Sequence, residues 1–201
     1  MSIVKQIAVT TPLVALFSLA QSSGPAFAGG DAGGSTGASY GLSNATTRSI
    51  VKTLSRGGDR CSRQPAAYRC DCYRWVYKRA ANQLEGNGAY SEAKGALEQV
   101  ERSLAAVVAQ NRDSTQPTRR RALETYSPVK PAAIPKVNRA AVQAMAKAET
   151  VLLRSPANKQ EHYTRIAQAI NSNKVLLRSA LLPGGVIRFA ATLITGFLQK
   201  A

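Results

Sequence analysis

Residues 89–111 read AYSEAKGALEQVERSLAAVVAQN, and the order of their apolar positions decides the fold. Ala93, Leu97, Val100, Leu104 and Val107 recur at intervals of 4, 3, 4 and 3. That period places all five on one face of an α-helix, whereas a strand alternates faces every second residue. Upstream, Cys70, Tyr73, Tyr77, Ala80 and Leu84 form a like seam, which predicts a helix over residues 66–84. Downstream, Val137, Ala141, Ala144, Ala148 and Val151 predict a helix that starts near Pro135, a favourable first-turn residue, and ends at Pro156.

The remaining segments are read the same way. A first helix is expected over residues 44–56, with Asn44 as its N-cap and Gly57-Gly58 as its stop. Asn158 and Glu161 resemble a capping box that opens a helix carrying Tyr163, Ile166, Ile170 and Leu177. A last, strongly apolar helix is expected over residues 186–200, as a core element or one lying in a membrane interface. Between residues 111 and 135, a short helical piece after Pro117 and an extended stretch around Pro128, Pro131 and Pro135 are expected. No segment shows strand alternation between turn signals. Short connections favour antiparallel neighbours, so the predicted fold is an all-α antiparallel bundle of about five to six helices.

Before the bundle, residues 1–28 have the three parts of a secretory signal peptide. Lys5 is followed by an apolar stretch over residues 7–20, and Ala26-Phe27-Ala28 supplies a cleavage site. Residues 29–41, GGDAGGSTGASYG, read as a flexible leader. Residues 42–201 are then one domain. The expected location is periplasmic or extracellular.

The 201 residues carry a net charge of +16, and 44% of them are hydrophobic. That apolar fraction excludes a chain disordered throughout. The charge is uneven. Residues 48–79 hold nine basic and two acidic residues, while residues 80–113 hold three and five. Arg119-Arg120-Arg121 opens a second basic region. Arg outnumbers Lys 17 to 10, and guanidinium suits a two-point grip on phosphate or carboxylate. The candidate anion-binding residues are therefore Arg48, Lys52, Arg56, Arg69, Arg74, Lys78, Arg79, Arg119, Arg120 and Arg121. Trp75, the only Trp, is the candidate stacking residue, within the dense segment YRCDCYRWVYKR at residues 68–79. The competing reading makes Tyr73 and Tyr77 core residues and the cations a solvated face.

Three cysteines crowd into 12 residues. In an exported chain a disulfide is the default. On a helix Cys70 and Cys72 point apart, so Cys61 faces only one of them. The seam position of Cys70 favours Cys61–Cys72, although spacing alone leaves the pairing open. The spare Cys is either a buried inert thiol, a link to a second copy, or a reactive group whose pKa the neighbouring Arg60, Arg63, Arg69 and Arg74 would lower.

Enzyme signatures are weak. His162 is the sole imidazole and is expected to be an exposed first-turn residue. Glu92, Glu98 and Glu101 read as a solvated charge row rather than a catalytic carboxylate pair. The sequence has no phosphate loop, nucleophile elbow or zinc-protease motif. The expectation is non-enzymatic binding of an anionic envelope component (lipid headgroup, lipopolysaccharide or acidic polymer), with no cofactor and no metal. The alternatives are a thiol-based or hydrolytic envelope enzyme and a non-specific nucleic-acid binder.

Overall fold

The structure, a computed structural model, describes residues 41–179. The expected signal peptide, residues 29–40 of the leader and the expected helix at 186–200 lie outside the described residues. Within them are five α-helices: α1 (Asn44–Ser62), α2 (Ala66–Asn82), α3 (Ser91–Gln110), α4 (Ile134–Leu153) and α5 (Ala157–Ser179). They form an all-α bundle whose successive helices run antiparallel, as expected, while α5 lies parallel to α1. Each helix packs on its neighbour in sequence, and α5 returns to α1, so the ring closes. The seam residues Tyr73, Tyr77, Leu97, Val100, Leu104, Val137, Ala141 and Ile170 are buried in one core.

α1 departs from expectation at both ends. Its N-cap is Ser43, not Asn44: the Ser43 hydroxyl accepts from the Thr46 amide at 3.1 Å. The helix also runs straight through Gly57-Gly58 to Ser62. Glycine inside a helix costs about 1 kcal/mol relative to Ala. Here the missing side chains admit close neighbours. A Cβ on Gly57 would stand 2.5 Å from Val76 Cγ1 on α2, and one on Gly58 would stand 1.8 Å from Asn173 Oδ1 on α5. Asn173 is itself buried, and its Nδ2 donates to the Leu54 carbonyl at 3.2 Å. The two glycines are thus contact points for two different helices and not a stop.

The second correction lies between α3 and α4. The expected helical piece after Pro117 is instead an antiparallel hairpin of β1 (Arg119–Arg121) and β2 (Glu124–Tyr126). Its register pairs Arg119 with Tyr126, Arg120 with Thr125 and Arg121 with Glu124. The hairpin lets β2 bury Glu124 and Tyr126 while β1 stays in solvent. Ala122 takes the left-handed region, φ 50°, to close the two-residue turn.

His162 is the third correction. It is half-buried, and its Nδ1 lies 2.8 Å from Thr47 Oγ1. Thr47 in turn bonds the Tyr90 hydroxyl at 2.8 Å, and Tyr90 bonds both backbone groups of Ser43. The start of α5 is therefore tied to the start of α1, because Tyr163 next door is drawn into the core.

Candidate cationic groove

The aromatic and basic segment at residues 68–79 becomes one flank of α2, and that flank holds the hairpin. The Tyr68 hydroxyl donates to the Pro117 carbonyl at 2.7 Å. Asp71 accepts the Ser127 amide at 2.7 Å, and Trp75 Nε1 donates to the Thr125 carbonyl at 2.9 Å. One turn further along, Arg79 pairs with Glu124. Residues three or four apart on a helix share a face, so these four side chains make one strip. The interleaving that resembled a stacking platform thus serves largely to dock β2. Trp75 already has the Arg74 guanidinium 4.7 Å and the Lys78 ammonium 5.1 Å from its ring centroid.

Glu124 is the acidic centre of this arrangement. It is only 4% exposed and receives Arg79, the Tyr126 hydroxyl and, at 3.2 Å, Arg60. Burial, reinforced by the bond to Glu124, pushes the Tyr126 phenol up to about 12. The Arg60 Nε is buried without a hydrogen-bond partner among the described residues, so Glu124 does not use all of its donors.

Because α1 continues past the glycines, its row of cations continues too. Arg48, Lys52, Arg56 and Arg60 lie four apart, and Arg63 follows in the next turn. Lys52, Arg56, Arg60 and Arg79 line a concavity of about 360 Å³ floored by Gly57 and Val76. Arg56, Arg60, Arg63 and Arg121 line an adjoining one of about 450 Å³, together with Asp59 and Gln64. Sharing Arg56 and Arg60, the two make a single groove from α2 across α1 to the hairpin. Among the described residues the carboxylate that lines it is Asp59, and Glu124 beside it is already engaged by Arg60 and Arg79. Guanidiniums held this close repel one another and raise the local counter-ion concentration, which favours a multivalent anion over a single small one.

The expected site residues fall into two groups. Lys52, Arg56, Arg79 and Arg121 converge on the groove. Arg69 instead donates to the Gln64 carbonyl at 3.1 Å, and Arg74 pairs with Asp71 and Glu101. Lys78 lies over Trp75, and Arg119 lies over the Tyr68 ring at 5.4 Å. Arg48 and Arg120 are exposed outside the two concavities. Arg60 and Arg63 belong to the groove although sequence reasoning omitted them. The fourfold spacing would have found Arg60 had the helix not been ended at the glycines.

Cys61 and Cys72 form a disulfide, with Cα atoms 5.5 Å apart, and join α1 to α2 beside the groove. Cys70 is free and 1% exposed, and burial pushes its thiol well above the usual range. The four arginines near it in sequence do not offset that desolvation. Glu92 pairs with Lys159, Glu98 with Lys94 and Arg102, and Glu101 with Arg74. Among the described residues no three His, Cys, Asp or Glu groups cluster as metal ligands, and no helix is long and apolar enough to cross a membrane. Comparison with protein-family models, with curated proteins and with solved structures finds no match to this chain.

Proposed function

We propose that this protein is exported and binds an anionic component of the cell envelope through the α1–α2–hairpin groove, without catalysis. The observation that carries this reading is the convergence of Lys52, Arg56, Arg60, Arg63, Arg79 and Arg121 on adjoining concavities, where among the described residues Glu124 engages Arg60 and Arg79 and Asp59 is the one lining carboxylate. Ordinary solubility charge would be dispersed. The disulfide implies a non-reducing environment, which supports export and the expected signal peptide at residues 1–28. The enzyme alternative draws little support from the described residues. Its spare thiol is buried, and its carboxylates are each held by a cation.

The test is equilibrium binding of the exported protein to anionic vesicles, lipopolysaccharide and acidic wall polymer, with neutral vesicles and duplex DNA beside them. Screening shortens from about 10 Å at 0.1 M salt to about 3 Å at 1 M, so groove binding should be strong in the first and lost in the second. Absence of binding to every envelope polyanion at low salt overturns the proposal. Tighter binding to DNA than to any envelope polyanion would replace it with the nucleic-acid reading.

A further inference from the structure

Leu123 is 96% exposed at the tip of the hairpin, in contrast to the buried Glu124 and Tyr126 that follow it. This exposure does not belong to a slack loop. The base of the hairpin is fixed by Trp75 to Thr125, Asp71 to Ser127 and the arginine pair on Glu124. The turn itself holds Ala122 at positive φ, a region that costs a non-glycine residue about 1 kcal/mol or more. A strained turn on an anchored base thus keeps one large aliphatic side chain pointed into solvent.

The surroundings of that side chain specify what it meets. Arg119, Arg120 and Arg121 stand on the adjacent strand, all exposed. Strand alternation puts Arg120 on the opposite face from the other two, so the tip is flanked by guanidinium on both sides. Behind it, Leu123 and Trp75 line a concavity of about 350 Å³ with Lys78 and Arg79. An aliphatic tip next to the exposed Arg120 and Arg121, with an indole set back from it, matches the layering of an anionic bilayer. There the apolar group enters the acyl boundary, while long cationic side chains stay with the phosphates and an aromatic ring sits at headgroup level. A soluble polyanion would satisfy the arginines and leave Leu123 in water.

We infer that the hairpin tip is a membrane wedge: Leu123 inserts into an anionic phospholipid surface, and Arg120 and Arg121 hold the phosphates beside it. This deepens the groove proposal by naming a lipid surface as the partner, and it rests on that reading. Insertion of one leucine should strengthen vesicle binding about tenfold, and each surrounding arginine about fivefold.

The experiment uses the exported protein with phosphatidylglycerol–phosphatidylcholine vesicles and, separately, soluble polyphosphate. L123C adds one accessible thiol, since Cys70 is buried, and that thiol carries an environment-sensitive fluorophore. The expected result is a blue-shifted emission on binding that is quenched by shallow spin-labelled lipid. L123S should bind vesicles about tenfold more weakly with polyphosphate binding unchanged, and R120Q about fivefold more weakly. A label that stays in water while the protein is vesicle-bound overturns the wedge and leaves the groove standing. So does a blue shift that appears without vesicles as protein concentration rises, which would seat Leu123 in a second copy. Loss of binding to both vesicles and polyphosphate in the parent protein overturns the groove reading as well.

Discussion

The contact between Gly57 and Val76 gives the sharpest prediction about stability, because it forms the floor of the groove. Gly57→Ala adds a methyl 2.5 and 2.6 Å from the two γ carbons of Val76. Favourable carbon contacts begin near about 3.5 Å, so roughly 1 Å has to be recovered. Val76 has little room to give: it is buried, and a β-branched residue in a helix has one strongly preferred rotamer. The helices must separate instead. Overpacking of this kind costs about 1–3 kcal/mol, against about 1 kcal/mol returned by the better helix propensity of Ala. The expected net loss is about 1 kcal/mol. Val76→Ala alone removes both obstructing methyls and should cost about 2 kcal/mol in lost burial and cavity. In the double variant the methyl added at position 57 occupies the vacated space. The pair should therefore be no less stable than V76A, a coupling of about 1–2 kcal/mol. Urea unfolding followed by helical ellipticity measures this, with constant m-values confirming that only stability has changed. If the two losses simply add within about 0.5 kcal/mol, Gly57 does not make a tight contact and the account of the uninterrupted α1 is wrong.

Three further outcomes follow from other contacts. Cys61 and Cys72 are 11 residues apart, so the chain-entropy model assigns their link about 2.8 kcal/mol; C61A/C72A should lose about that much on urea unfolding, and an unchanged midpoint would refute it. Cys70 is buried with a raised pKa, so the native protein at neutral pH should show no fast-reacting thiol and one after denaturation; a fast native thiol would revive the thiol-enzyme reading. The hydrogen bond from Lys159, then that from the backbone amide of Glu92 itself, then that from Tyr163 lower the Glu92 carboxyl from 4.5 to about 2. A depressed acid stabilises the fold above its unfolded pKa, so this contribution is present above about pH 4.5 and fades as pH falls toward 2. Because Glu92 is half-exposed, the effect is about 1 kcal/mol or less, and E92Q should flatten the stability profile across that window. An equal acid slope in E92Q would show that the pair contributes nothing.

The helical seams were legible because each depends only on local spacing, apart from Val151, which is 50% exposed, and the seam position of Cys70 favoured the Cys61–Cys72 pairing without deciding it. What escaped sequence reasoning depends on distant partners. Gly57-Gly58 resembles a stop until Val76 and Asn173 are known to lie against it. The hairpin has strands of three residues, too short for an alternating pattern, and its position is set by Tyr68, Asp71, Trp75 and Arg79 on α2. The candidate site inherited both errors. The row Arg48, Lys52, Arg56 was visible, but ending the helix early hid Arg60 and Arg63. Only the fold brings Arg121 to that row. Trp75 and Arg74 looked like ligand-binding residues because an aromatic beside a cation has the same composition whether it faces a ligand or its own chain.

The central claim is that the groove, and not net charge alone, binds the anionic partner. The most direct test compares two variants with the same change in charge. K52E/R56E reverses two exposed groove cations that have no internal ion pair among the described residues, and R139E/K147E reverses two exposed cations on α4. Each charge near an anionic surface contributes about 1 kcal/mol, so K52E/R56E should weaken binding to anionic vesicles by two to three orders of magnitude at low salt. R139E/K147E should change it by far less. Equal weakening by the two variants would contradict the account, since the partner would then be sensing the total charge of the protein.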